Sequence, residues 1–171
     1  MTMTIKRILV PTDFSTTSDA ALEWAKSIAG TLGASLHLVH VFEDPALTGP
    51  FAAEAYVAMP AETRTALFED AADRLEHRLS ADDRVRFHAT SEIVCGVPAP
   101  SILDYSHDQH IDLIVMGTHG RTGVAHLLMG SVTERVVRLA DCPVLTVHKT
   151  RSAAEQPYRA FLPEMPVQVA S

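Results

Sequence analysis

Two short apolar runs, at residues 8–10 and 113–115, limit the possible folds of this chain more than any other feature, because neither alternates with polar residues. A strand with one solvent-exposed face carries a polar residue at every second position, so an unbroken apolar run indicates a strand buried on both faces. Strands of this kind are typical of parallel sheets that are covered by helices on each side. The chain is therefore expected to form an α/β fold.

Strand-like and helical patterns alternate along the chain. Four apolar segments are predicted as strands, at residues 5–10, 35–42, 111–116 and 144–148, with a weaker fifth at residues 85–94. Between them, apolar residues recur at helical spacing in four segments, at residues 22–32, 67–79, 98–103 and 132–140. Gly33 is predicted to end the first helix, and Pro98 to lie in the first turn of the third. This order predicts right-handed crossovers and a single-domain, five-stranded, parallel doubly wound sheet with helices on both faces.

Two segments fall outside this alternation, although a length of 171 residues fits one domain better than two. Residues 43–61 contain three prolines and are predicted as a long loop. Residues 150–171 have no clear periodicity, so we predict a domain at residues 1–149 followed by a C-terminal extension. The extension frays, as chain ends do by default, or docks through its apolar residues on the domain or on a partner.

The balance of charges argues against two classes of partner. The chain carries 14 basic and 21 acidic residues, a formal net charge of −7, so nucleic acid and anionic membranes repel it. No run approaches the roughly 18 apolar residues of a membrane helix, and the N-terminal apolar stretch is too short and too charged for a signal peptide. Cys95 and Cys142 form no CxxC pair and are predicted to be reduced packing residues. These features predict a cytoplasmic location.

The histidine pairs are not predicted to bind a metal. His37 and His40 are three residues apart on a strand, so their side chains face opposite sides of the sheet. His107 and His110 have a spacing that can hold a metal on a helix, but no carboxylate or cysteine pattern completes the site. The prediction for this second pair is a solvated helix end.

The segment most informative about function joins an apolar strand to the last predicted helix. Gly117 follows the strand that ends at Met116, and Gly130 and Ser131 precede the helix. In a parallel sheet the ligand crevice lies beyond the carboxyl ends of the strands, at a topological switch point. Glycine there can adopt positive φ and lets the backbone approach a bulky anion. The free N–H groups and the dipole at the start of the helix favour a phosphate.

The same segment offers further donors, and two alternatives stand beside the phosphate hypothesis. Val132 and Thr133 present backbone N–H groups, and the hydroxyls of Ser131 and Thr133 can donate to phosphate oxygens. Ser131 and Glu134 also match an S-x-x-E capping box, which needs no ligand. The glycines in turn suit ordinary turns. The loop holds no lysine and the chain has no G-x4-G-K-[ST] motif, so powerful phosphoryl transfer is not expected.

The complete pattern resembles a known family. Gly117, Gly120, Gly130 and Ser131 satisfy G-x2-G-x9-G-[S/T], which the ATP-binding members of the universal stress protein family carry. Further matches to the family lie at residues 10–15, 39–41, 96–98 and 142–145. The resemblance covers roughly residues 4–149 and implies the Rossmann-like fold of that family, of the adenine nucleotide alpha hydrolase-like type.

The resemblance implies two groups of ligand-binding residues. Asp13 would lie against the nucleoside, where it can accept hydrogen bonds from ribose hydroxyls, unless it caps the first helix instead. The backbone of Val41 would meet the adenine edge, and His119, like Arg121, would meet the terminal phosphate. The implied nucleoside group comprises Pro11, Thr12, Asp13, Val41, Met116 and Gly117. The implied phosphate group comprises His119, Gly120, Gly130, Ser131, Val132 and Thr133.

The resemblance also implies a cofactor, a partner and a function. The cofactor is ATP, or ADP or AMP, with Mg²⁺ or Mn²⁺ on the phosphates, and a mainly backbone adenine contact does not separate these adenylates from one another or from a cyclic nucleotide. A homodimer would form through the last strand, from Pro143 to His148, whose apolar edge invites pairing. The predicted function is a nucleotide-dependent regulatory module of the stress response without catalytic residues. A slow metal-dependent ATP hydrolase, an adaptor with a structural nucleotide and an unknown protein partner, and a flavin carrier stay open as alternatives.

Overall fold

Helices and strands alternate in the computed structural model as the sequence predicts, except that two helices follow one another between the second and third strands. The structure describes residues 4–43, 54, 57–118 and 130–148. The strands are β1 (Arg7–Pro11), β2 (Ser35–Glu43), β3 (Thr90–Gly96), β4 (Leu113–Gly117) and β5 (Val144–Val147). The helices are α1 (Thr16–Leu32), α2 (Ala61–Glu76), α3 (Ala81–Arg86), α4 (Pro98–Asp108) and α5 (Ser131–Leu139). The four clear strand predictions are confirmed, with ends that differ by at most two residues.

The strands form one five-stranded parallel sheet in the order β3-β2-β1-β4-β5. β1 lies in the middle, where its last pair with β2 is Pro11↔Val39 and its first pair with β4 is Ile8↔Leu113. The chain builds outward from β1 to one edge of the sheet and then from β4 to the other. The carboxyl ends of β1 and β4 therefore flank a topological switch point, where doubly wound sheets bind their ligands. The predicted fold class is confirmed.

Successive residues of β1 pack on opposite faces of the sheet, and each face has its own core. Ile8 and Val10 belong to the core beneath α1 and α2, and Leu9 belongs to the core beneath α4 and α5. All three side chains are fully buried. Complete burial of such a side chain contributes about 1.5–3 kcal/mol relative to its exposure. Helices on both faces are thus confirmed, and they explain why the runs in β1 and β4 contain no polar residue.

Two helices begin or end at residues whose chemistry suits those positions. The Ser15 side chain accepts a hydrogen bond from the Ser18 N–H at 3.2 Å and so caps the start of α1. Gly33 adopts φ +66°, a left-handed conformation that favours glycine, and α1 ends there as predicted. Pro98 lies in the first turn of α4, also as predicted. No helix in the described ranges is long and apolar enough to cross a membrane.

The strand predicted at residues 85–94 is partly wrong, because β3 begins at Thr90 and Val85 lies in α3. The reason is a capping box. The Ser80 hydroxyl accepts from the Asp83 N–H at 3.1 Å, and the Asp83 carboxylate accepts from the Ser80 N–H at 3.0 Å. Lys26 of α1 adds an ion pair with Asp83 at 2.9 Å. A local signal therefore starts a helix where the apolar pattern alone indicates a strand.

The helix predicted at residues 67–79 starts earlier and ends earlier than expected, since α2 spans Ala61–Glu76. The predicted loop at residues 43–61 lies mostly outside the described residues, and the extension at residues 150–171 lies wholly outside them. Of the two cysteines, Cys142 packs against the core beneath α4 and α5, and burial raises the pKa of its thiol. Cys95 is exposed on the edge strand β3, so the packing prediction is wrong for this residue.

Candidate functional site

A cavity of about 660 Å³ lies beyond the carboxyl ends of β1, β2 and β4. Its volume falls in the range of about 300–1,000 Å³ that is usual for small-molecule sites. All described members of the two predicted ligand-binding groups line this sheet-end cavity, whereas His119 and Gly120 lie outside the described residues. The predicted residues in its wall are Pro11, Thr12, Asp13, Val41, Met116, Gly117, Gly130, Ser131, Val132 and Thr133.

The turn between β1 and α1 brings Asp13 to the cavity wall. The Thr12 N–H donates to the Val39 carbonyl oxygen at 2.8 Å, which ties the end of β1 to β2. The Asp13 carboxylate accepts a hydrogen bond from the Ser15 N–H at 3.1 Å, before the helix begins. Because Ser15 is the residue that caps α1, the alternative in which Asp13 caps this helix is wrong. Asp13 instead braces the turn while its carboxylate lies beside the cavity.

His40 of β2 is buried next to the same turn. Its Nδ1 lies 2.8 Å from the Thr12 carbonyl oxygen, and since a carbonyl only accepts, Nδ1 carries the proton of this hydrogen bond. The Phe14 ring packs against the His40 ring, with 4.3 Å between the ring centroids. His37 lies on the other face of the sheet, 3.1 Å from the Tyr105 hydroxyl. The prediction that the two histidines face opposite sides is confirmed.

Neither of the two motif glycines in the described residues, Gly117 and Gly130, has positive φ. Gly117 does not adopt positive φ, and a Cβ placed on it would lie 3.0 Å from the backbone carbon and the Cβ of Thr17. Such contacts are too short, so glycine at this position lets β4 approach α1. Gly130 has φ −70° and ψ 151°, an extended conformation that any residue adopts. The expectation that a glycine directly after the strand adopts positive φ is therefore wrong for Gly117, and Gly120 lies outside the described residues.

The start of α5 forms part of the cavity wall without the predicted capping box. Gly130 occupies the cap position and Ser131 is the first helical residue, so Ser131 is one position too late to cap. The Glu134 side chain pairs with Arg138 at 2.7 Å. The Thr133 hydroxyl donates to the Gly117 carbonyl oxygen at 2.8 Å, so its proton is not directed at the cavity. The wall therefore presents backbone N–H groups of the first helical turn and the Ser131 hydroxyl.

One wall of the cavity comes from α2, which sequence reasoning does not connect with the site. Leu67, Asp70, Ala71 and Arg74 line the cavity, and their spacing places them on one face of the helix. The spacing of apolar residues in α2 is that of any amphipathic helix, so the sequence of α2 does not indicate a binding site. The other lining residues outside the predicted groups come from the turn after β1, from α1, from β2 and from α4, and they are Phe14, Ser18, Val39, His40, Phe42, Glu43, Pro98 and Ile102.

Metal-ligating side chains are not clustered in the part of the chain that the structure describes. Within those ranges, no group of three or more His, Cys, Asp or Glu residues is close enough to hold a metal ion. His107 lies 3.7 Å from the Asp141 carboxylate, and both side chains are largely exposed.

A parallel sheet in the order β3-β2-β1-β4-β5, with a cavity beyond its central strands and a helix N-terminus in the cavity wall, defines a Rossmann-like α/β protein. The sequence model of the Universal stress protein family matches residues 4–148 of the chain. This match includes all the strands and helices described above. The chain therefore belongs to the universal stress protein family.

Relatives in sequence and in structure agree with this assignment. The chain is 32% identical over 162 residues to universal stress protein MJ0577 of Methanocaldococcus jannaschii, covering 89% of this chain and 100% of the relative. The solved structure of MJ0577 matches with a TM-score of 0.74 over 88% of this chain and 100% of that one. Universal stress protein MJ0531 of the same organism is 35% identical over 153 residues, which is 85% of this chain and 84% of the relative.

A further solved relative holds a ligand. It is a universal stress protein in complex with cAMP, 26% identical to this chain, with a TM-score of 0.52 over 85% of this chain and 98% of that one. An adenine nucleotide is thus bound by a protein of the same family and fold.

Proposed function

We propose that this chain binds an adenine nucleotide, in the first place ATP, in the sheet-end cavity, and acts as a cytoplasmic, dimeric, nucleotide-dependent regulator of the stress response. ADP and AMP are the other candidate ligands, and Mg²⁺ or Mn²⁺ would accompany the phosphates. The observation that carries the proposal is that all the described residues of the predicted nucleoside and phosphate groups line one cavity. The proposed nucleotide-binding domain spans residues 1–149, with residues 150–171 as its extension.

The backbone of Val41 is suited to the adenine edge. Val39 points its carbonyl toward β1, because that oxygen accepts from the Thr12 N–H at 2.8 Å. Backbone groups of a strand point to alternate sides with a period of two. The N–H and carbonyl of Val41 therefore point to the same side as the Val39 carbonyl, which is the side of β1. β1 pairs with β2 only as far as Pro11↔Val39, and Val41 lies beyond that point in the cavity wall. A donor and an acceptor side by side match the amino group and ring nitrogen of adenine.

The start of α5 is suited to the phosphates. Ser131, Val132 and Thr133 line the cavity in the first turn of the helix, where N–H groups have no partner within the helix. The helix dipole places roughly half a positive charge at this end, which favours an anion by about 0.3–1 kcal/mol when exposed and up to about 2 kcal/mol when partly buried. Apolar side chains of Pro98, Ile102 and Met116 complete the wall and suit the purine ring.

The test begins with nucleotide that copurifies with the protein. We expect denaturation to release ATP at about one molecule per chain, as measured by mass-resolved chromatography, because a pocket of this volume can bury most of the surface of a small ligand. Gly130→Ala should weaken ATP binding about tenfold or more in calorimetry with Mg²⁺, since one misplaced methyl group in a fitted site costs about 10–200-fold. Gly130 is extended, so alanine there brings no backbone strain and the loss reports the methyl group alone.

A matched control separates the ligand effect from a general effect of alanine. Gly30 lies in α1, away from the cavity, and Gly30→Ala should leave ATP binding unchanged. Wild-type protein that releases no adenylate, and that shows no heat with added ATP and Mg²⁺, would overturn the proposed function.

A further inference from the structure

The described side chains of Asp, Glu, Lys and Arg in the wall of the sheet-end cavity are acidic, apart from that of Arg74, and acidic groups repel an anionic ligand. Asp13, Glu43 and Asp70 all line the cavity, and the chain as a whole has a net charge of −7. Arg74 is the one lysine or arginine among the described lining residues. The dipole of α5 supplies only about half a positive charge. A ligand with several negative charges therefore needs the Arg74 guanidinium more than any other described side chain.

The Arg74 guanidinium packs on the aromatic ring of Phe14 and does not form a strong ion pair. Its guanidinium carbon lies 4.3 Å from the centre of the Phe14 ring. Nη1 of Arg74 lies 3.7 Å from the nearest carboxylate oxygen of Asp70, which is longer than a hydrogen bond. Stacking engages the flat face of a guanidinium, whereas its N–H donors point outward in the plane of the group. Arg78, which lies 5.5 Å from the same ring, is instead paired with Asp19.

The Phe14 ring is itself fixed against the strand ends that form the site. Phe14 has φ +65°, an unusual conformation for a residue with a side chain, and such a conformation persists where the surroundings determine it. Its N–H donates to the Thr12 hydroxyl oxygen at 3.1 Å, and its ring packs against that of His40. His40 is hydrogen-bonded to the Thr12 carbonyl oxygen. The stack of Arg74, Phe14 and His40 thus joins α2 to the ends of β1 and β2.

We propose that Arg74 determines the specificity of this site: its guanidinium binds phosphate oxygens of the nucleotide, so that the site selects multiply charged adenylates over uncharged nucleosides. This inference rests on the proposed function and deepens it. Arginine suits the role because its planar donors bind phosphate oxygens in pairs. The side chain is 43% exposed, so it can turn toward a ligand without unpacking a core.

The test compares ligands of increasing charge on the full-length protein. For Arg74→Gln, calorimetric titration should show ATP binding weakened about tenfold or more, because charged hydrogen bonds are the strong ones. Adenosine should bind within about twofold of wild type, and AMP should fall between the two. Arg64→Gln is the matched control. It removes the same charge from the same helix about three turns earlier, outside the cavity wall, and should keep the wild-type affinity for ATP.

A second variant and a measurement of thermal unfolding distinguish the loss of the Arg74 donors from a loss of the fold. Arg74→Lys retains the charge without the planar donors and should bind ATP with an affinity between wild type and Arg74→Gln. Thermal unfolding without nucleotide establishes that each variant is folded. The inference fails if Arg74→Gln leaves ATP affinity unchanged, weakens ATP and adenosine equally, or resembles Arg64→Gln, while wild type still binds ATP. Wild-type protein that binds neither ATP nor adenosine removes the proposed function, and this inference with it.

Discussion

At the residue scale, Gly117 and Thr133 form a packed joint between β4, α1 and α5. Gly117 lies so close to Thr17 that a Cβ would contact its backbone, and the Gly117 carbonyl oxygen accepts from the Thr133 hydroxyl. The Gly130 N–H donates to the Thr118 carbonyl oxygen at 2.7 Å in the same joint. Residues of the glycine motif therefore position the start of α5 as well as line the cavity.

Alanine substitutions at two glycines should have opposite effects on stability. Gly117→Ala should lower the free energy of unfolding by about 1–3 kcal/mol, because the new methyl group overpacks against the backbone of Thr17. Gly30→Ala should raise it by about 0.5–1 kcal/mol, because Gly30 is helical and its Cβ would meet only ordinary contacts at 3.6 Å. Urea unfolding measures both. Equal shifts for the two variants would contradict the packing role of Gly117.

At the scale of elements, α3 is joined to α1 by one ion pair. Lys26 and Asp83 lie 2.9 Å apart, and each side chain is only 17% exposed. Burial by itself would raise the pKa of Asp83, but the hydrogen bonds from Lys26 and Ser80 and the charge of Lys26 together lower it. Burial by itself would lower the pKa of Lys26, but the hydrogen bonds and charges of Asp83 and Glu23 raise it overall. Both groups are therefore more easily charged in the folded protein than in the unfolded chain.

The pH dependence of stability should report this ion pair. Because the pKa of Asp83 is lowered by folding, its contribution is present above the unfolded value of about 3.9 and is lost as pH falls through the folded value. Asp83→Asn should lower the free energy of unfolding by about 1 kcal/mol near neutral pH, and the difference from wild type should shrink below about pH 4.

Glu23→Gln provides the matched control for this pair. Glu23 also contacts Lys26, at 3.2 Å, but its side chain is 72% exposed, so removing its charge should change stability by less than about 0.5 kcal/mol. Urea unfolding near neutral pH and near pH 3 measures both variants. A deficit of Asp83→Asn that persists undiminished in acid would contradict the ionic origin of the effect.

At the scale of the whole molecule, the two edges of the sheet differ in charge. β5 consists of Val144–Val147 and contains no charged residue, and its Leu145 is 38% exposed. β3, at the other edge, carries Glu92. Charged residues on an edge strand disfavour pairing with another chain, whereas an apolar open edge favours it. β5 is therefore the edge at which the proposed homodimer would form, as a two-fold pair of identical strands.

Glutamate on one edge, but not on the other, should separate the proposed dimer into monomers. Leu145→Glu should halve the mass measured by light scattering, because two charges would face each other across the paired strands. Cys95→Glu adds the same charge to exposed β3 and should leave the mass unchanged. A Leu145→Glu protein with the wild-type dimer mass, or a wild-type monomer, would contradict pairing through β5.

Prediction from the sequence succeeds where short-range patterns carry the information. The unbroken apolar runs locate β1 and β4, Gly33 marks the end of α1, and the spacing of Gly117 and Gly130 points to residues that line one cavity. It fails for Val85, where the capping box that begins at Ser80 outweighs an apolar pattern. It also fails for the Thr133 hydroxyl, whose partner is known only once β4 and α5 are side by side.

The sequence by itself determined the kinds of elements, their order and the family, because the burial preference of a residue and the conformational limits of Gly and Pro act over a few neighbouring positions. The tertiary structure alone decided that α2 forms a wall of the cavity, that Arg74 lies over Phe14, and that Gly117 is needed for packing. These contacts join residues far apart in the chain, so they depend on how each helix settles on the sheet.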